Sequence, residues 1–488
     1  MNTGGFDFNE ENFLKLEQVL AAQRPKTDDL WPHRVSLFCH MAGPAYAPKG
    51  EKFKFGLLSY SVWLLSRILT VKPERHAEAS PAADFLVHIV GNVSKEVDTL
   101  APVVAALREA GHSVLVLWGS GEPVPEEIVG RLNGATIWTV PGLANLAAFR
   151  PFLVNEALST ACQLWRTFWF LRPLKGARRA LWQCSAWWFH DLLYLKCWER
   201  LLTAALANHH FKGVAVVSET APSAEALCRV AASRGWPVHH FLHGLPGFVN
   251  TRPAASDIHC FSQVERDYFI GYGHSPDRVH AIGHPRQSAI AGQIRALRKI
   301  PPNQGGLRVL FASQPSWSEY DDEDYRKNVQ AVLETANKLQ LTPGEIRVRL
   351  HPVEDRQTYL ALADQYAPYL GRAVISSRSV AEDLAWANVV ITAFSTMAIE
   401  ACYAECFLIW LTVDEFRYEV RERFVAAGYG CQASSAAQFH EALLLCRDIQ
   451  SRTKLIDEMM RVGRKLAVLN PNAATAAAKC MANEETQL

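Results

Sequence analysis

Two short stretches of this chain carry residue types suited to holding a phosphate. Arg349-Leu350-His351-Pro352 offers a guanidinium and an imidazole. Ile391-Thr392-Ala393-Phe394-Ser395-Thr396 offers two hydroxyls at what should be the start of a helix. Each stretch closes a segment read as a β-strand, so each sits where a strand gives way to a loop, the edge at which open α/β sheets bind ligands. An imidazole donates to a phosphate oxygen, more strongly once protonated, and Pro352 restricts the turn that aims it. Arg349 either joins the same pocket or points to the other face of its strand. Hydroxyls and backbone N–H groups at a helix start suit an anion, although a plain N-cap is written with the same residues. Glu400, one turn further on, is placed either to accept hydrogen bonds from ribose hydroxyls or to serve as an ordinary helix glutamate. An earlier strand end, Ser313-Gln314-Pro315-Ser316-Trp317, adds Ser313, Gln314 and Ser316 to the same edge.

A second set of residues is suited to moving a proton. In Leu242-His243-Gly244-Leu245-Pro246-Gly247 a histidine follows a buried-type strand and precedes a glycine-rich turn, the setting of a general base for an acceptor hydroxyl. A structural histidine beside a turn reads the same way. Glu219, at another strand end, is the rival base. In Gly283-His284-Pro285-Arg286, His284 and Arg286 are placed to reach a ligand phosphate. The acidic run Glu319 to Asp324 reads as a helix start, where acids favour the first turn. Its Asp322-Glu323-Asp324 does not lie directly at a strand end, so no metal site is expected.

The elements that must position these residues alternate along most of the chain. Phe85 to Val90, a helix from about Val97 to Ala110 ending at Gly111, and His112 to Trp118 form a strand–helix–strand unit of a parallel sheet. Strands follow at 213–217, 238–242, 257–261 and 279–282, with helices at 222–234, 263–271 and 287–299. Ile300-Pro301-Pro302-Asn303-Gln304-Gly305-Gly306 is the strongest linker. A second α/β run then has strands at 307–312, 346–350, 373–375, 389–392 and 407–411, and a mostly helical tail from Ala436 to Ala482. With 488 residues, more than one ordinary core is needed. The expected architecture is α/β and GT-B-like, two doubly wound Rossmann-type domains facing a cleft. Its parts are a helical preamble at 1–80, an acceptor-side domain at 81–299 with a Trp-rich helical insertion at about 151–206, and a nucleotide-donor domain at 300–488.

Composition narrows the class. Hydrophobic content of 49% and charged content of 20% fit a folded soluble protein, and a net charge of +1 argues against a dedicated nucleic-acid binder. The 11 cysteines form no Cys-x-x-Cys pair and read as reduced thiols of a cytosolic protein, with Cys162, Cys228 and Cys446 among those in apolar surroundings. The N-terminus lacks the pattern of a signal peptide, and the run from Phe55 to Leu69 is too short and polar to span a membrane. Between 151 and 206, Trp165, Trp169, Trp182, Trp187, Trp188 and Trp198 crowd among Arg166, Arg172, Lys175, Arg178 and Arg179. That segment either packs aromatics into the domain core or forms a basic aromatic surface for a membrane interface or a lipid-linked acceptor.

Taken together, Leu242 to Pro246, Gly283 to Arg286, Phe311 to Trp317, Arg349 to Pro352 and Ile391 to Glu400 occur in the order seen in GT-B transferases. The pattern resembles the CDP-glycerol glycerophosphotransferases of teichoic acid synthesis. It is similar also to bacterial sialyltransferases and Kdo transferases, whose His-Pro and Ser/Thr motifs hold the phosphate of a CMP-sugar. The resemblance covers roughly Val214 to Glu400. It implies a cytidine-nucleotide donor, with His351, Ser395 and Thr396 on its phosphate, Glu400 near its ribose and His243 as the base. There are departures: Ser318 stands where an arginine is usual, Ala393 where an aspartate is usual, and Glu400 replaces an aspartate. The expectation is a metal-independent, cofactor-free glycosyltransferase. It would move a sugar from a CMP-sugar to a hydroxyl of a bacterial surface polysaccharide or glycolipid, with a glycan or lipid-linked acceptor. Its setting would be the cytoplasm, with a peripheral membrane contact through 151–206. The alternatives are a CDP-glycerol-type polyol-phosphate transferase and a non-catalytic GT-B scaffold. An epimerase of the same plan lacks an evident acidic pair for proton abstraction.

Overall fold

A computed structural model of the chain describes residues 82–90, 94–119, 124–132, 134–139, 195–217, 221–247, 255–316, 320–352, 354–414 and 416–484, together with single helical residues between 159 and 169. The expected preamble at 1–80 and the sharpest basic pair, Arg178-Arg179, lie outside the described residues, as does Glu219.

The first sheet is built from β1 (Phe85–Ile89), β2 (Val114–Trp118), β3 (Thr136–Thr139), β4 (Gly213–Val216), β5 (Val238–Phe241), β6 (Asp257–Cys260) and β7 (Val279–Ala281). Helices α1 (Ser94–Glu109), α2 (Glu126–Arg131), α3 (Pro222–Ser233), α4 (Gln263–Gly271) and α5 (Pro285–Leu297) alternate with them. The strand order is β3-β2-β1-β4-β5-β6-β7, and the pairings from β3 through β6 are parallel. β1, β2 and β4 are buried along their whole length, as near-continuous Val/Leu/Ala runs require of strands covered on both faces. β3 was not anticipated. It is an edge strand with exposed ends, Thr-Ile-Trp-Thr, and carries too few apolar residues to announce itself.

The second sheet holds β8 (Val309–Ala312), β9 (Ile346–Arg349), β10 (Val389–Thr392), β11 (Phe407–Leu411) and β12 (Cys431–Ala433). Its helices are α6 (Asp322–Lys338), α7 (Arg356–Tyr366), α8 (Val380–Trp386), α9 (Met397–Tyr403), α10 (Glu419–Ala426), α11 (Ala436–Arg447), α12 (Ile449–Lys465) and α13 (Ala473–Met481). Its order is β12-β11-β10-β8-β9, all parallel. The strand expected at 373–375 is instead a 3₁₀ turn, Gly371–Val374, with a single bridge from Ile375 to Val348. Gly371 opens that turn at φ +42, which an extended strand does not accommodate.

By compactness the chain divides into one unit of 1–243, 248–259 and 477–488, and another of 244–247 and 260–476. The change therefore falls before α4 and not at the Pro/Gly stretch of 300–306. That stretch is bonded into the second unit. Arg452, fully buried, donates to the carbonyls of Pro302 at 3.2 Å, Gly305 at 2.8 Å and Cys446 at 2.8 Å. Arg308 adds the carbonyls of Pro301 and Gln304, both at 3.4 Å, and Trp386 at 2.5 Å. Two guanidiniums thus satisfy the carbonyls that a proline-rich segment cannot pair in a ladder.

The Trp-rich region splits. Its C-terminal end, helical over 195–205, sends Leu195, Trp198, Leu202 and Leu206 into the core of the first unit with Leu86, Val214 and Trp236. The helical residues Cys162, Trp165, Arg166 and Trp169 are all exposed, Trp165 at 66% and Trp169 at 59%. Their i, i+3, i+4, i+7 spacing puts them on one helix face. Cys162, expected among apolar neighbours, is therefore a surface thiol, whereas Cys228 and Cys446 are buried. No helix among the described residues is long and apolar enough to cross a membrane.

Candidate functional site

β10, β8 and β9 are neighbours in the second sheet, and their registers pair Thr392 with Ala312 and Ala312 with Arg349. The three strands therefore end level. Ser395 and Thr396 follow the first, Ser313 and Gln314 the second, His351 the third. With strands about 4.8 Å apart, the three groups share one edge. The chain leaves β8 for β9 on one side and returns to β10 on the other, so this edge is also the sheet's topological switch point, where such sheets bind ligands.

Local bonds set each strand end. Thr392 donates its hydroxyl to Ala312 O at 3.1 Å and accepts from Ser395 N at 3.2 Å, which turns the chain out of β10. Ser395 Oγ accepts from Met397 N at 3.2 Å, and Thr396 is the N-cap of α9 without a side-chain capping bond. α9 is 7 residues long, so the hydroxyls count for more here than a helix dipole. Phe394 anchors the turn from beneath in an aromatic group with Tyr320 at 4.9 Å, Phe416 at 5.3 Å and Tyr418 at 5.8 Å. Arg421 clamps the backbone beside it, donating to Ala393 O at 3.4 Å and Phe416 O at 2.6 Å.

His351, half-buried, and Pro352, exposed, follow β9. Glu354, three residues after His351, accepts from His351 N at 3.0 Å, Ser313 Oγ at 2.9 Å and Tyr325 OH at 2.6 Å. Burial pushes the Glu354 carboxyl above the usual carboxylate range, and those same hydrogen bonds partly offset the push. Arg349 takes its second sequence alternative. It pairs with the fully buried Asp383 at 3.0 Å and donates to Arg378 O at 2.7 Å. Arg347 approaches the same carboxylate at 3.4 Å. Gln314 is buried beside Ser313, and Ser316 donates to the Asp322 carboxylate at the head of α6.

Glu400 is 2% exposed. One of its oxygens accepts from Gln287 Nε2 at 2.7 Å and faces Arg286 Nη2 at 3.7 Å. Two residues singled out separately, Arg286 and Glu400, are thus brought together, tying α9 to the start of α5. His284 does not reach out to a ligand. It is 1% exposed, stacks on Phe261 at 4.1 Å and caps α5 by accepting from Arg286 N at 3.3 Å. The turn before it needs Gly283, whose φ is +79. A Cβ there would lie 2.7 Å from Asn470 Cβ, while Asn470 Nδ2 donates to Ile282 O at 2.7 Å.

The histidine-bearing loop divides between the units. Gly244–Gly247 belongs to the second, where Tyr418 OH donates to Leu245 O at 2.7 Å and a Gly244 Cβ would meet the Thr396 methyl at 4.0 Å. His243 belongs to the first, with an exposed side chain at the end of β5. Protein packed around the imidazole, then the nearby His240 and Lys95, hold it below the ordinary histidine range. It is therefore neutral at pH 7. Sequence alone did not single out His88 on β1. It is 1% exposed, has no hydrogen-bond partner for Nε2 among the described residues, and burial lowers its pKa to about 3. Glu354, Tyr325, Gln287 and Tyr418 were missed as well. The one signal for them was the His-Pro-x-Glu spacing, which allows a carboxylate to return to its own turn. Among the described residues no group of three or more His, Cys, Asp or Glu side chains is arranged to hold a metal ion.

No protein-family model matches the chain, and no curated protein sequence matches it. Solved structures do. A UDP-N-acetylglucosamine 2-epimerase superposes with TM-score 0.51 at 10% identity, covering 82% of this chain and 95% of its own. S. aureus MnaA bound to UDP gives TM-score 0.50 at 12% identity, covering 80% and 94%. A wall teichoic acid polymerase TagF soaked with CDPG gives 0.45 at 10%, covering 89% and 97%. The first two share their fold with this chain, which has the two Rossmann-type domains of the GT-B class.

Proposed function

We propose that this protein is a glycosyltransferase that takes a sugar from a cytidine-nucleotide donor, a CMP-sugar, and delivers it to a hydroxyl of a bacterial surface polysaccharide or glycolipid. The observation that supports this most is the meeting of His351, Ser313, Ser395 and Thr396 at three level strand ends around the switch point of the second sheet. In this reading the bond between the anomeric carbon and the donor phosphate oxygen breaks. The negative charge that develops on that oxygen is met by the imidazole and the hydroxyls, as a preorganised anion site requires. The acceptor oxygen forms the new bond to the anomeric carbon, and its proton passes to the neutral His243, with Glu219 as the rival base. No metal or cofactor has a step. Calorimetry with CMP, CDP and UDP tests the reading. CMP or CDP should bind and His351→Ala should weaken that binding about tenfold or more while leaving it measurable; a protein that binds none of the three is not a nucleotide-dependent transferase.

Polyol-phosphate transfer from a CDP-linked donor is the second reading. The His243-Gly244-Leu245-Pro246 motif favours it, and consumption of a CDP-polyol with release of CMP would select it. The acceptor is then a glycan or a lipid-linked chain. The exposed face of Trp165, Arg166 and Trp169 supports peripheral contact with an anionic lipid surface, because 157–190 holds five basic and no acidic residues. Trp165→Ala with Trp169→Ala should lower partitioning onto anionic liposomes, and unchanged partitioning would remove the membrane from the reading.

A further inference from the structure

The three donors on Glu354 come from three different segments. Ser313 follows β8, Tyr325 lies in α6, and His351 N belongs to the turn after β9. A fourth bond, Glu354 N to His351 O at 2.9 Å, closes the turn on itself. Ser313 and Tyr325 are 3% and 4% exposed, so the carboxylate is anchored to two groups that barely move before it holds the His351 backbone. Arg349, two residues earlier, is separately fixed by Asp383. The backbone on both sides of His351 is therefore restrained, and the segment is set against the β8 end.

We propose that Glu354 is a positioning residue that holds His351 and Ser313 as one phosphate-facing edge; the inference rests on the donor-site reading given above. It touches no ligand. It acts by removing the freedom of the His351 turn, so that the imidazole is in place before a nucleotide arrives and little ordering remains to oppose binding. A carboxylate suits the task because it accepts from one N–H and two hydroxyls at once. Glutamine can substitute in part: its oxygen can take the His351 N–H while the two hydroxyls rotate to accept from its amide.

Two measurements test this. In the nucleotide-free protein, hydrogen exchange at the His351 amide should be slow in the wild type, about tenfold faster or more in Glu354→Ala, and nearly restored in Glu354→Gln. With CDP as the probe, Glu354→Ala should weaken binding about tenfold, Glu354→Gln less than about threefold, and Glu354→Ala should add nothing in a His351→Ala background. Exchange that is the same in wild type and Glu354→Ala overturns the proposal, as does a Glu354→Ala penalty that persists in full without the His351 side chain. If Glu354→Ala fails to fold, Tyr325→Phe removes one anchor of the carboxylate and must still speed the His351 amide. A wild type that binds no nucleotide refutes the donor reading, and the exchange measurement then decides the positioning claim by itself.

Discussion

At the scale of single residues, two histidines illustrate how placement separates chemistry from packing. His284 lies between a glycine and a proline, and His243 precedes a glycine with a proline three residues on. The first is enclosed against Phe261 and caps a helix; the second follows a strand end and stays partly open to solvent although protein packs around its ring. His243→Ala should therefore abolish turnover while leaving CMP or CDP affinity within about twofold, since a base for the acceptor contributes little to donor binding. Turnover that survives transfers the role to Glu219. A different residue governs acid stability. Glu265 is fully buried, accepts from Ser262, and burial raises its carboxyl to about 7. A carboxyl with a raised folded pKa takes up its proton in the native state before the unfolded state does. Stability from this site therefore rises as pH falls from about 7 toward 4.5, by about 3 kcal/mol at most. His88 works in the opposite sense: its folded pKa near 3 means that acid favours the unfolded chain below the ordinary histidine value of about 6.5. Glu265→Gln removes the opposing gain, so denaturation midpoints followed from pH 8 to 5 should fall more steeply in the variant than in the wild type. Parallel profiles would refute the assignment.

At the scale of elements, the strand ends of the second sheet depend on bonds from behind them. α9 is short, and its start is shaped by Thr392, Ser395 and the aromatic group under Phe394. Ser395→Ala combined with Thr396→Ala should weaken nucleotide binding about tenfold or more through two lost hydroxyls, with the melting temperature nearly unchanged because both side chains are only half-buried. A large loss of stability without loss of affinity would reduce them to a helix cap. The stretch at 300–306 shows the same dependence. It has the composition of a hinge, yet Arg452 and Arg308 gather its carbonyls into the second unit. Arg452→Met would leave the buried carbonyls of Pro302 and Cys446 without this donor, at about 2 kcal/mol or more; calorimetric melting checks it, and a melting point that does not move would mean that water replaces the guanidinium.

At the scale of the whole molecule, the strands carried the most legible signal. β10 and β11 fall on the expected residues, and most others within one or two, because parallel strands buried on both faces read as unbroken apolar runs. The short edge strands β3 and β12 gave no such signal, and the supposed strand at 373–375 gave a false one. The Trp-rich segment could not be resolved by composition, since tryptophan serves a core and an interface equally well. Trp198 is buried and Trp165 and Trp169 are not, which depends on what packs against each helix face.

By itself the sequence determined the alternation of strands and helices, the class of fold and the residues at each strand end, since those depend on local propensity and on apolar runs. Tertiary structure alone decided which strand ends stand side by side. It also decided that Arg349 is held by Asp383, that Arg286 meets Glu400, and that Glu354 gathers Ser313, Tyr325 and His351. Those pairings join residues that lie far apart along the chain and meet only through strand order and helix packing, which no local pattern records.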